Sequence, residues 1–198
     1  MKLFYSDASP YARCVRVVIR HLKIDGIDEI KTNPLANGED LLEANPLGKI
    51  PCLQLNDGSS LYDSEVILRY LDTELGGGRL FGIRESNWVS ESHFSLIKGM
   101  LDSAVALRQE QMREEEGKRS SFWTARFEQA LLRGLQRIEQ GGLMTTPQLS
   151  IHQICLACLL EYLDFRHADL KWRKVAPAVA SWLADFKDFP ALKMTQPD

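Results

Sequence analysis

The stretch Asn45-Pro46-Leu47-Gly48-Lys49-Ile50-Pro51, residues 45–51, ends in a proline set directly before the apolar run Cys52-Leu53-Gln54-Leu55. Proline brings no N–H to a ladder, so it belongs at the first residue of a strand or at an edge, never inside. A cis Ile50–Pro51 bond fits that position, because it turns the chain and leaves the backbone groups of Ile50 open at the end of a sheet. Beyond it, the turn signal Asn56-Asp57-Gly58 folds Ile50–Leu55 back onto Ser60–Tyr62 as a hairpin.

Working outward, Lys2–Ser6 reads as a strand, Pro10–Leu22 as a helix and Ile27–Thr32 as a weaker strand. A polar segment from Ala36 to Asn45 is loop plus a short helix. Ser64–Leu75 has helical composition and stops at Gly76-Gly77-Gly78. The resulting order, β-α-β-α-β-β-α, predicts a small mixed sheet with helices packed on it. After the glycines the pattern changes. Apolar residues recur at helical spacing: Phe94, Ile97, Leu101 and Ala104; Phe127, Leu131, Leu135 and Ile138; Ile151, Ile154, Cys155, Cys158 and Tyr162. This half is an all-α bundle. The expected division is residues 1–76, a linker over 77–87, and a helical domain over 88–198.

The chain of 198 residues is long enough for ordinary cores, and 24 basic against 27 acidic residues give a net charge of −3. No basic stripe marks a nucleic-acid partner. No apolar run approaches the roughly 20 residues of a membrane span. Met1 leads straight into a strand with no signal peptide pattern, so the expected location is the cytoplasm, with Cys14, Cys52, Cys155 and Cys158 as thiols. Cys155 and Cys158 have the spacing of a redox or zinc motif, but they lie on an apolar helical stripe with no second pair, and read as core. The four histidines show no ligand spacing, and no metal is assigned.

Three polar corners stand out. Ser9 precedes Pro10, which is favoured at the first helical position, so Ser9 is the N-cap of the first helix. That helix carries Tyr11, Cys14, Val15, Val18 and Leu22 on one stripe, while Arg13, Arg16 and Arg20 share another face. Ile50 is the second corner. Asp63-Ser64 is the third, an acid and a hydroxyl at a helix start, where N–H groups attract carboxylates. In the second half, Ser150 and Gln153 read as a capping box.

Taken in order, Ser9-Pro10-Tyr11-Ala12-Arg13, Asn45 through Pro51, and Asp63-Ser64 resemble the glutathione transferase superfamily. The resemblance implies a thioredoxin-like N-terminal domain followed by an all-helical one, glutathione as cosubstrate, and a homodimer. It also implies that Pro51 is cis, that the backbone of Ile50 pairs with the cysteinyl part of glutathione, and that Asp63 and Ser64 hold its γ-glutamyl end. Lys49 would approach the glycyl carboxylate. Glutaredoxin-like relatives carry Cys-Pro-Tyr-Cys where this chain has Ser9-Pro10-Tyr11-Ala12, so dithiol chemistry at this turn is excluded. The serine-type turn implies that Ser9 donates a hydrogen bond to the glutathione thiolate. Tyr5, at the end of the same strand, is its rival, although strand alternation permits it to point into the core. Tyr11, Phe94 and Ile97 are candidates for lining an apolar cosubstrate pocket. The implied reaction is addition of glutathione to an electrophile, or related peroxide reduction. The alternative is a catalytically silent member acting as a binding or regulatory protein.

Overall fold

The computed structural model describes residues 1–82, 87–114, 116–141, 149–186 and 188–197. The chain forms two compact units, Met1–Ile83 with Asp188–Asp198, and Arg84–Lys187. Part of the expected linker, residues 83–86, lies outside the described residues.

In the first unit β1 (Lys2–Tyr5), α1 (Pro10–Leu22), β2 (Asp28–Lys31), α2 (Glu39–Ala44), β3 (Cys52–Gln54), β4 (Ser60–Leu61) and α3 (Ser64–Tyr70) follow the expected order. The sheet is mixed, ordered β2-β1-β3-β4, with β1 parallel to β2 and antiparallel to β3. The strands are shorter than their apolar runs. β3 begins at Cys52 because Pro51, joined to Ile50 by a cis bond as the family resemblance implied, has no N–H to contribute. Alternation along β1 sends Phe4 to one face, where it packs with Leu41, Ala44 and Cys52. Leu3 and Tyr5 face the opposite side.

The helix expected over Ser64–Leu75 is composite: α3 widens into a π-helical turn, Leu71–Leu75, before Gly76. Buried Asp72 anchors the chain beyond that glycine, accepting from the N–H groups of Leu80 at 3.0 Å and Phe81 at 2.9 Å. Arg13 and Arg16 of α1 are buried, and the last residues of the chain, expected in the helical domain, join the first unit. There α8 (Pro190–Lys193) packs on α1, with Arg13 Nη2 donating to the Leu192 carbonyl at 3.2 Å. That bond offsets part of the cost of burying the guanidinium.

The second unit holds α4 (Trp88–Met112), α5 (Ser121–Gln140), α6 (Ile151–Arg166) and α7 (Pro177–Phe186). α6 is buried nearly all round, which accounts for its weak amphipathic signal and for the burial of Cys155 and Cys158. None of the four cysteines is in a disulfide. Among the described residues no helix is long and apolar enough to cross a membrane, and no cluster of His, Cys, Asp or Glu could hold a metal ion.

Candidate functional site

Strand register decides where the three polar corners lie. Phe4 stands opposite Cys52 across the antiparallel β1–β3 pair, and Leu53 opposite Leu61 across β3–β4. The end of β1 that leads to Ser9, the start of β3 behind Ile50–Pro51, and the end of β4 that leads to Asp63-Ser64 are therefore one end of the sheet. With neighbouring strands about 4.8 Å apart, the three corners leave the sheet within about 10 Å of one another. Ser9 and Asp63, 54 residues apart in sequence, thus follow strand ends that are two strand widths apart.

Ser9 has the extended backbone of an N-cap, and its Oγ accepts from the Ala12 N–H at 3.2 Å. Its own N–H donates to the Ser6 carbonyl at 3.1 Å, closing the turn. A hydroxyl has two lone pairs and one proton. The cap uses a lone pair, so capping and hydrogen-bond donation by the same half-buried group are compatible. The N-terminus of α1 adds the positive end of a helix dipole at this spot.

The second corner is set by Asn45, whose side chain is buried. Its Oδ1 accepts from the Leu47 N–H at 3.1 Å, and its Nδ2 donates to the Lys49 carbonyl at 2.8 Å. These bonds, with Gly48 at φ +60°, shape the loop that delivers Ile50 to the cis bond. Lys49 is exposed, Ile50 half-buried and Pro51 buried. Cys52, next in line, is enclosed. Its thiol donates to the Ala44 carbonyl at 3.6 Å, and burial pushes its pKa up, only partly countered by a hydrogen bond with Ser60. It is a core thiol.

At the third corner Asp63 caps α3, its Oδ1 accepting from the Glu65 N–H at 3.1 Å, and Ser64 is buried behind it. The Tyr62–Asp63 bond is also cis, for which the sequence held no signal.

A fourth feature was not singled out in the sequence. Arg16 Nε donates to Glu29 at 2.9 Å and Arg16 Nη1 to Asp7 at 3.2 Å. Arg20 reaches Glu29 at 2.6 Å, and Lys31 reaches Asp7 at 2.5 Å. The Arg16 guanidinium also lies 4.2 Å from the centre of the Tyr5 ring. Tyr5, expected in the core, is half-buried beneath that cation. The signal was present in the arginines at 13, 16 and 20, but their carboxylate partners come from a turn and a strand that only the fold brings alongside.

The remaining predicted residues divide between the two units. Tyr11 is half-buried in the first turn of α1. Phe94 and Ile97 are buried in the helical unit, with Phe94 edge-on to His152 at 6.1 Å. His152 Nε2 is 2.9 Å from the Ser90 carbonyl, tying the start of α6 to α4. His167, also buried, lies between the Ala104 carbonyl at 2.9 Å and the Gln111 amide at 3.3 Å, and burial lowers its pKa. These histidines fasten helices together.

Comparison with known proteins agrees with this fold. The family model described as the glutathione S-transferase N-terminal domain matches residues 8–74, and that of the C-terminal domain matches residues 121–185. A glutathione transferase family member from Pseudomonas fluorescens Pf-5, solved with bound glutathione, is 33% identical, with a TM-score of 0.89 over 100% of this chain and 98% of that one. A glutathione S-transferase from Methylobacillus flagellatus KT, solved with glutathione bound, is 35% identical, with a TM-score of 0.89 over 100% and 99%. The GST-like protein YibF of Escherichia coli K12 is 25% identical over 100% of this chain and 98% of its own length.

Proposed function

The chain belongs to the glutathione S-transferase superfamily, and from that premise we propose that it is a glutathione transferase whose thiolate donor is Ser9. The observation that carries the reading is the convergence of Ser9, Ile50 and Asp63-Ser64 at one end of the sheet. Glutathione-bound relatives of the same fold support glutathione as the ligand.

Each residue then has a role. The backbone of Ile50, freed from the ladder by Pro51, pairs with the cysteinyl peptide groups of glutathione. Asp63 and Ser64 meet its γ-glutamyl amine and carboxylate. Lys49, exposed at the rim, reaches the glycyl carboxylate. Ser9 donates a hydrogen bond to the sulfur, keeping its proton, while its lone pair keeps the Ala12 amide satisfied.

Magnitudes support this assignment. A thiol of pKa about 8.5 is roughly 3% ionised at pH 7, and lowering it by ~2 units requires about 2.7 kcal/mol. A hydroxyl hydrogen bond and the α1 dipole, each about 1 kcal/mol or somewhat more in a partly dry site, supply most of that. No general base is needed. The thiolate then attacks an electrophilic carbon, or the oxygen of a peroxide, held against an apolar surface that includes Tyr11, with positioning providing the rest of the rate. The reading carries a homodimer with it, as in the family, and a cytoplasmic location in keeping with four reduced cysteines. Sedimentation of the purified chain tests the first of these.

The deciding experiment is glutathione calorimetry between pH 6 and 9 with thiolate absorbance read on the same samples, for the wild type and Ser9→Ala. Binding with a thiolate that appears at lower pH only in the wild type is the expected outcome. A wild type that fails to bind glutathione removes the enzyme reading.

A further inference from the structure

The ionic cluster on the α1 side of the sheet joins the elements that converge on the Ser9 turn. Asp7 sits in the turn itself, two residues before Ser9, and its carboxylate takes Arg16 from α1 on one oxygen and Lys31 from the end of β2 on the other. Arg16 takes Glu29 of β2 with its Nε while its Nη1 holds Asp7. Glu29 is taken in turn by Arg20. Tyr5, the last residue of β1, lies under the Arg16 guanidinium. One side chain of α1 therefore fastens the turn at Asp7, β2 at Glu29 and the end of β1 at Tyr5, while Lys31 ties the end of β2 to the same Asp7. The Arg16, Asp7 and Glu29 side chains are 10%, 16% and 14% exposed, so this is a largely dry junction and not a solvated surface pair. A planar fork that meets two carboxylates at once suits arginine and not lysine.

We propose that Arg16 and Asp7 are positioning residues for the Ser9 hydroxyl, holding the Ser6–Ser9 turn in the one place from which its proton meets the glutathione sulfur. This rests on the function proposed above. The bonds that close the turn itself, the Ser9 N–H to the Ser6 carbonyl and the Ala12 N–H to the Ser9 hydroxyl, are both local. Neither fixes the turn against the sheet, whereas Asp7 and Arg16 do. Arg16 also occupies a face of Tyr5, which keeps that phenol in a structural role and leaves the donor role to Ser9.

Electrostatics alone predicts the opposite sign for the informative variant, which makes the idea testable. Three cations face two carboxylates in the cluster, one net positive charge. Removing the Asp7 charge raises that positive charge, and by Coulomb attraction alone it would lower the pKa of a nearby thiol. Loss of a positioning clamp raises it instead. The experiment is thiolate absorbance of bound glutathione against pH for the full chain as wild type, Asp7→Asn, Ser9→Ala and the double variant, with folding checked by circular dichroism.

Asp7→Asn is expected to raise the apparent pKa of the bound thiol by about half a unit, about a threefold fall in the thiolate-to-thiol ratio at any given pH. The same change is expected to do nothing further in the Ser9→Ala background, because it acts through the hydroxyl. A lowered or unchanged pKa in Asp7→Asn, or a rise that persists without Ser9, overturns the proposal. Should Asp7→Asn fail to fold, Glu29→Gln loosens the other side of Arg16 with the same opposition of signs. If the wild type itself forms no bound thiolate, the proposed function fails. If it does and only the Asp7 result is absent, this inference fails alone.

Discussion

Ser9 and Ser150 cap their helices with the same bond, a side-chain oxygen accepting from an amide three residues on, at 3.2 Å and 3.4 Å. Their surroundings differ. At Ser150 the cap is closed on itself, since Gln153 Oε1 accepts from the Ser150 N–H at 3.0 Å and completes a capping box. At Ser9 there is no reciprocating side chain. Pro10 comes next, Ala12 stands where a box would place Glu or Gln, and the turn is held by a buried arginine instead. Equal local grammar thus serves a closed structural joint in the helical unit and an open one at the end of the sheet, where Ile50 and Asp63-Ser64 also emerge.

Variants at the two kinds of cap should separate sharply. The largest effect is expected for Asp63, which caps α3 but, unlike Ser150, is proposed to meet a charged ligand group. Asp63→Ala should weaken glutathione roughly tenfold to a hundredfold in calorimetry, the size of a lost charge-assisted hydrogen bond. An unchanged affinity would make Asp63 a cap and nothing more. Next comes Ser9→Ala, expected to move the thiolate titration up by about one unit, a tenfold fall in the thiolate-to-thiol ratio, with about 1 kcal/mol of stability lost as a cap. Ser150→Ala should cost that same ~1 kcal/mol in chemical denaturation and leave the thiolate titration where it was. A shift of the titration in Ser150→Ala would dissolve the distinction between the two serines.

The smallest effect is one of pH, and belongs to the helical unit. Burial lowers the pKa of His167 from 6.5, so the unfolded chain binds its proton more readily than the folded one. Stability from this site is therefore fully present above about pH 6.5 and is lost as pH falls below it. His167→Gln should flatten that part of a melting-temperature profile, and a profile identical to the wild type would place the acid sensitivity elsewhere.

Much of this was legible beforehand because it is local. The order of elements, the caps at Ser9 and Ser150, the hairpin, the Gly76 stop and the proline at the start of β3 each depend on a few adjacent residues whose backbone preferences agree. The core stripe of α5 was visible as periodicity, since Leu131, Leu135 and Ile138 are all buried, whereas α6 is buried nearly all round and showed only that it is apolar. Strand ends were less legible, because ladder pairing and not composition terminates a strand. The π-helical turn at Leu71–Leu75 was hidden, its buried Asp72 being held by amides eight and nine residues further on.

By itself, then, the sequence determined which residues cap, turn and pack, and through three short motifs in order it pointed to the family. Only the tertiary structure decided what those residues face. Register brings Ser9, Ile50 and Asp63 to one sheet end, the fold buries Arg13 and Arg16, and Asp7 and Glu29 find Arg16 across a turn and a strand. The physical reason is range. Caps and turns are settled by hydrogen bonds within four residues, while a buried ion pair is stable only where the whole chain has already excluded water from both partners.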